Sequence, residues 1–297
     1  MSFGRQGPEF NQVQKPAFEM LRDQFGYTYL PAEALEGERS NESEVILTSR
    51  LSDRLKVINP GLTDNGVRQA IDALKQPPAK GLIEANEVCH NLITRWVTVD
   101  EFENGKPVGR SVRLIDFENP ENNEFLVTDE FRVKGPKHTR RMDLVVFVNG
   151  IPLVVAECKE PGDSHGITKA VHDLHAYQDT ENGVVRLFHT AFLLLALKKH
   201  DAQYGTVNTP LNRYAQWKTT YPLGSNELET TLGHKPTKQD QLIAGMLSKE
   251  NLLDLLRNFV VFDRQGGKVI KKVARYQQFE AVNRAIDRVI NPNSKEA

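Results

Sequence analysis

The chain carries two hydrophobic rhythms. In its first third, apolar residues recur at helical spacing. Residues 15–29 read as an amphipathic helix ending near Gly26, and residues 41–58 as a second, with Val45, Leu47, Leu51, Leu55 and Ile58 on one stripe and "NPG" at 59–61 as its stop. Residues 64–75 form a shorter helix halted by Pro77-Pro78, and residues 82–95 a fourth. From Trp96 to Leu197 the pattern becomes strand-like. "RWVTVDEF" runs to the turn "ENGKP"; then come "VRLIDF", the polar turn "ENPENN", "EFLVTDEFRV" and a hairpin over 142–158. Residues 167–178 return to helix, and "FHTAFLLLAL" reads as a buried strand. Helices, a β-meander, a helix and a strand predict an α/β or α+β sheet with a crossover helix. After a polar, turn-rich stretch at 200–238, "QDQLIAGMLSKENLLDLLRNFVVFD" is helical and runs into a strand. "KVIKKVARYQQFEAVNRAIDRVI" then reads as a strand and an amphipathic helix.

One segment breaks its own pattern. "MDLVVFVNGIPLVVAECKEPG" (142–162) reads as a core hairpin with its tip at Asn149-Gly150, yet Asp143, Glu157 and Lys159 sit where a buried strand should be apolar. Side chains alternate across a strand, so Glu157 and Lys159 share a face while Cys158 points into the core. A carboxylate from each of two adjacent strands can hold a divalent ion. Mg²⁺ takes one or two carboxylates plus water and phosphate oxygens, and the backbone carbonyl of Cys158 is a further hard ligand. Lys159 can then orient an attacking water and offset developing negative charge. The bland alternative is a solvated strand end with a Glu–Lys pair, since an isolated E-x-K is a weak signal. Against it stand the apolar residues between Asp143 and Glu157 and the basic run "FRVKGPKHTRR" just before the Asp, which suits phosphate binding. Register sets a condition. A plain two-residue turn opposes Val148 to Ile151 and hence Asp143 to Ala156, which turns Glu157 away. A shared ion therefore requires an odd-numbered loop or a bulge, with Gly150 at positive φ.

Other chemistry is sparse. Two cysteines, Cys89 and Cys158, rule out a disulfide framework and fit a reducing cytoplasm. A net charge of −1 leaves any nucleic-acid reading to local patches. No apolar run approaches a membrane span. The opening "MSFGRQGPEF" lacks a signal-peptide core and reads in part as a cloning remnant. His165, His172, His175 and His189 lack the Cys pair or HExxH of a zinc site. Glu44, Glu84 and Glu87 are candidate helix acids to assist the hairpin carboxylates, with solvated positions as the plainer alternative.

Asp143…Glu157-x-Lys159 resembles the PD-(D/E)xK nuclease motif. The wider string "FRVKG…RRMDLVVFVNGIPLVVAECKEPG" is similar to the N-terminal nuclease domain of type I restriction enzyme restriction subunits. The similarity continues through "YGTVNTPLNRYAQWK" and "LLDLLRNFVVFD" to "KKVARYQQFEAV", which resembles the Q-motif strip before the first motor domain of superfamily 2 translocases. It covers most of the chain after about Ser43. The resemblance implies a restriction-endonuclease-like α/β fold, a mixed sheet flanked by helices with an N-terminal helical region. It implies Asp143 and Glu157 as metal ligands with the Cys158 carbonyl, and Lys159 as the catalytic lysine. Lys134, Lys137, Arg140, Arg141 and Tyr177 become DNA contacts, and Arg275, Tyr276 and Gln278 nucleotide contacts.

Mg²⁺ is implied for cleavage, and ATP only in a full-length subunit. Double-stranded DNA is the implied substrate, and methyltransferase and specificity subunits are the implied partners in the cytoplasm, with no membrane. Rival readings are a repair or recombination nuclease and a non-catalytic docking domain. Two departures stand out: Met142 replaces the nominal Pro, and Asp173 replaces the Gln of a Q-x-x-x-Y pattern whose Tyr is Tyr177. Asp173 reads either as an additional metal ligand or as a solvated helix residue. No G-x-x-x-x-G-K-[ST] phosphate loop occurs. The expected division is an N-terminal helical segment (1–40), a nuclease domain (41–225), a helical linker (226–260) and the start of a motor domain (261–297).

Overall fold

The computed structural model describes residues 6–103 and 105–291. Phe10–Gln14 makes a π-helical turn that leads into helix α1 (Lys15–Phe25). Gly26 closes α1 at φ 65°, a left-handed position suited to glycine. The short α2 (Ala32–Leu35) follows, then α3 (Thr48–Ile58), α4 (Asp64–Lys75) and α5 (Leu82–Thr94). The Thr63 hydroxyl caps α4 by accepting from the Gly66 N–H. The helix expected over 41–58 begins only at Thr48. The preceding residues are tied to the sheet instead: the Glu42 carbonyl accepts from the Lys134 N–H, and the Leu47 N–H donates to the Gly150 carbonyl. Val45 and Leu47 are still buried, so apolar spacing marked burial there but not helix.

The strands are β1 (Thr28–Tyr29), β2 (Val97–Glu103), β3 (Lys106–Val112), β4 (Phe125–Lys134), β5 (Thr139–Val148), β6 (Ile151–Cys158), β7 (Leu193–Lys198) and β8 (Asp201–Gly205). Six form one mixed sheet in the order β1-β4-β5-β6-β7-β8. β1 runs parallel to β4 and β6 parallel to β7, while the other pairs are antiparallel. Helix α6 (Gly166–Tyr177) makes the crossover between β6 and β7 that a parallel pair requires.

The expected meander is split, because among the described residues β2 and β3 pair only with each other. Of "VRLIDF" only Val112 is strand, the last residue of β3. The Asp116 carboxylate accepts from the backbone N–H groups of Glu118 and Asn119 and folds that segment into a turn. "FHTAF" is also outside β7, since the Asn86 amide takes the carbonyls of Phe188 and Ala191 at 2.8 Å each. The turn-rich stretch hides β8 and α7 (Ser225–Leu232). The long helical stretch is two helices, α8 (Lys238–Leu247) and α9 (Lys249–Asn258), separated by an extended Ser248. β9 (Val260–Gln265) and β10 (Lys268–Val273) form a hairpin, followed by α10 (Tyr276–Ile290).

Alternation places Leu144, Val146, Val154, Ala156, Leu195 and Leu197 of the sheet against Ala17 and Leu21 of α1 and Ile243 and Leu247 of α8. The buried apolar residues form one cluster from Val13 to Phe279. α6 buries Ala170, Val171 and Leu174 and packs against β6 and β7. Among the described residues no helix is long and apolar enough to cross a membrane.

Candidate active site

The hairpin tip decides whether a site exists. Asn149 and Gly150 both have positive φ, 53° and 77°, and make a two-residue turn. Val148 pairs with Ile151 and Phe147 with Pro152, but Val146 pairs with Val154. Leu153 is therefore an extra residue in β6, a bulge that shifts all later pairing by one. Val145 now faces Val155 and Leu144 faces Ala156, so Asp143 comes opposite Glu157. The bulge, not an odd-numbered loop, meets the condition set by the sequence.

Asp143 and Glu157 are both buried, at 5% and 4% exposure. Asp143 Oδ2 accepts the Cys158 backbone N–H at 2.7 Å. Glu157 Oε2 accepts from the Tyr177 hydroxyl at 3.1 Å, and Oε1 lies 2.5 Å from Lys159 Nζ. Asp173, about half exposed on α6, ion-pairs with Lys159 at 2.8 Å. Asp173 and Tyr177 are four residues apart on α6, so one helix face holds both Lys159 and Glu157. Burial pushes the Asp143 carboxyl up to about 7, opposed by the Cys158 N–H and Lys159 and aided by Glu9 and Glu130. Glu157 is raised well above its usual range, first by burial and then by the charge of Asp143. Burial works against the charge on Lys159, but Glu157 and Asp173 outweigh it and raise the ammonium pKa.

Two acids and an amide complete the surroundings, and sequence reading missed all three. Glu9, just before the π-helical turn, is raised by burial and feels Lys159, Arg141 and Glu130. Glu130, in β4, has φ 56° and is 5% exposed. Neighbouring pairs Asp129–Leu144 and Phe131–Met142 put it opposite Asp143, but the ladder breaks at that step. The Gln14 side-chain N–H repairs the gap, donating to the Asp143 carbonyl at 3.0 Å and to Glu130 Oε1 at 3.2 Å. Glu130 Oε2 pairs with Arg141 at 2.7 Å. The clue at Glu130 was the one used for Asp143, a carboxylate inside an apolar strand. Glu9 lies in the opening segment that reads in part as a cloning remnant, and nothing local marks it.

The helix acids considered earlier are engaged elsewhere. Glu44 pairs with Lys75 and Glu87 with Arg264. Glu84 lies over Gly81 at the start of α5. Lys134 is exposed at the end of β4, Lys137 pairs with Glu181 at 2.7 Å, and Arg140 Nε donates to the Asn182 carbonyl at 3.1 Å. Far along the chain, Gln278 Oε1 accepts the Arg275 backbone N–H at 2.8 Å and Tyr276 packs on the core edge. His165 meets Ser164, and His175 meets the Thr209 carbonyl.

Among the described residues no three His, Cys, Asp or Glu side chains form a ready metal-binding group. The Cys158 thiol is buried and raised by burial. A cation here would rely on two carboxylates with backbone and solvent oxygens, the donor set Mg²⁺ accepts. Two facing carboxylates out of water are electrostatically costly, and a divalent ion relieves that cost.

The fold is a mixed six-stranded sheet flanked by helices with an N-terminal helical region, consistent with a nuclease-like architecture. The chain belongs to the family described as type I restriction enzyme R protein N terminus, which it matches over residues 8–213. It is 28% identical over 288 residues to the type I restriction enzyme HindI endonuclease subunit of Haemophilus influenzae, covering 94% of this chain and 26% of that protein. It is 28% identical over 294 residues to the putative type I restriction enzyme MjaIXP endonuclease subunit of Methanocaldococcus jannaschii, covering 94% of this chain and 27% of that protein. The type I restriction enzyme EcoprrI endonuclease subunit of Escherichia coli is 24% identical over 240 residues, covering 80% of this chain and 70% of that protein. The chain thus spans about a quarter of the length of the first two relatives.

Proposed function

We propose that this chain is the DNA-cleaving module of a type I restriction endonuclease subunit, of the PD-(D/E)xK kind, hydrolysing phosphodiester bonds with Mg²⁺. The observation that carries the reading is the bulge at Leu153, which brings the buried Asp143 and Glu157 opposite one another beside Lys159. Asp143, Glu157 and the Cys158 carbonyl would hold the cation, with the Glu9 carboxylate nearby. When bound, Mg²⁺ lowers the pKa of a coordinated water and offsets charge on the phosphate. Lys159 orients the attacking water and faces the charge that builds on the phosphoryl oxygens. Tyr177 fixes Glu157, and Asp173 fixes Lys159. Double-stranded DNA is the substrate. Recognition and modification belong to specificity and methyltransferase partners in the cytoplasm. ATP serves a motor in a longer subunit, to which β9, β10 and α10 lead, with Arg275, Tyr276 and Gln278 at its adenine edge.

Nicking of supercoiled plasmid by the chain in Mg²⁺ or Mn²⁺ tests this. The expected result is metal-dependent nicking that Glu157→Ala abolishes. Equal nicking by the variant would remove the assignment.

A further inference from the structure

Arg132 and Arg141 are directly opposed on β4 and β5. Like charges in that position repel. Arg141 is neutralised by Glu130 at 2.7 Å. Arg132 is exposed, and among the described residues its guanidinium has no ion pair, although its backbone carbonyl accepts from Arg39. Arg141 lies two residues from Asp143 and therefore on the same strand face, about 6.6 Å along it at two strand rises. Lys134 continues that face one step beyond Arg132, opposite Thr139. The order along the face is thus carboxylate pair, arginine pair, lysine.

Glu130 is an unusual neighbour for this row. Its left-handed φ of 56° is disfavoured for a residue with a Cβ. It interrupts the ladder beside Asp143, and Gln14 must supply the missing donor. That conformation sets a buried carboxylate between the Gln14 amide and the Arg141 guanidinium. Glu130 Oε2 faces one Arg141 nitrogen, and a phosphate oxygen offers that nitrogen the same kind of charged acceptor.

We propose that Arg132 and Arg141 together form a binding site for one DNA backbone phosphate next to the cleavage centre, and that Glu130 occupies Arg141 in place of that phosphate while DNA is absent. The proposal rests on the nuclease reading above. DNA entry transfers Arg141 from Glu130 to the phosphate, with Arg132 gripping the same group from the adjacent strand. The cross-strand repulsion is then relieved by an anion between the two guanidinium groups.

Binding of a fluorescent DNA duplex to the full chain in EDTA, followed across a salt series, tests it. EDTA prevents cleavage, so affinity alone is read. Arg132→Ala is expected to weaken binding several-fold, independent of sequence. The double variant Arg132→Ala/Arg141→Ala is expected to lower the salt slope by about 0.9, the value for one phosphate rather than two. Glu130→Gln is expected to tighten binding, and the gain is expected to vanish when Arg141→Ala is added. Unchanged affinity and slope in Arg132→Ala, which alters an exposed side chain only, would overturn the proposal while leaving the nuclease reading intact. Failure of the wild-type chain to bind any duplex would overturn both.

Discussion

Lys159 Nζ lies 2.8 Å from the carboxylate of Asp173, at the position where the resemblance calls for glutamine. An acid there binds the lysine as an ion pair, where an amide would offer only a neutral acceptor. Asp173→Ala is expected to lower the cleavage rate at saturating DNA by roughly ten-fold, about 1.4 kcal/mol, with little change in DNA affinity. Asp173→Glu is expected to recover part of the rate. Plasmid nicking under single-turnover conditions separates the two effects, and Lys159→Ala should remove cleavage altogether.

Asp143 gives the metal-free protein a pH dependence. Its pKa rises from 3.8 to about 7 on folding, so the native state binds its proton more tightly than the unfolded chain. Its contribution to stability is therefore complete below pH 3.8 and is lost as pH rises through about 7. Asp143→Asn keeps an acceptor for the Cys158 N–H and removes the charge. In EDTA at pH 8 the variant should be more stable than the wild type, by on the order of 2–4 kcal/mol. Denaturant melts at pH 5 and pH 8 should show the advantage shrinking at the lower pH.

Glu9, at the N-cap of the π-helical turn, is close enough to feel Lys159 and to act on Asp143. Glu9→Gln is expected to raise the Mn²⁺ concentration needed for half-maximal nicking by several-fold. Duplex binding in EDTA should stay the same or tighten, because one negative charge has gone from a surface that meets phosphate. A cation titration of nicking, paired with anisotropy, reads both.

Gly150 holds the hairpin in register. At φ 77° a Cβ would also lie 2.5 Å from the Leu47 carbonyl oxygen, so Gly150→Ala meets both backbone strain and a backbone clash. The expected loss is at least about 2 kcal/mol, visible as a drop of several degrees in the thermal midpoint. Cleavage should fall as well, since Asp143 and Glu157 meet only through this register.

The segment 261–290 should not act on ATP by itself. The chain has no phosphate-cradling glycine loop, and the Gln278 side-chain oxygen already accepts the Arg275 N–H. One amide and one ring would give a Kd of about 1 mM or weaker. Calorimetry and phosphate release on residues 1–297 are expected to show neither tight binding nor hydrolysis.

The linear chain carried the elements whose burial is regular. α4, α5, α6 and the strands β4 to β6 follow from local periodicity, because each buries one face or both along most of its length. The three residues Asp143, Glu157 and Lys159 stood out for the same reason, as charges inside apolar runs. Periodicity misled where apolar residues were buried by something other than a repeating element: Val45 and Leu47 dock on the hairpin tip, and Leu114 and Ile115 sit in a turn closed by Asp116. The sequence could state that Asp143 and Glu157 need an odd-numbered loop or a bulge, but not that the turn is two residues long and Leu153 the residue that bulges. That depends on which backbone N–H and C=O groups the neighbouring strands leave to pair. The meeting of Glu9, Gln14, Glu130, Arg141 and Asp173 around the pair was beyond local reading altogether. Those residues come from the N-terminal π-helical turn and its cap, β4, β5 and α6, and only the packing of one shared core brings their charges within reach of each other.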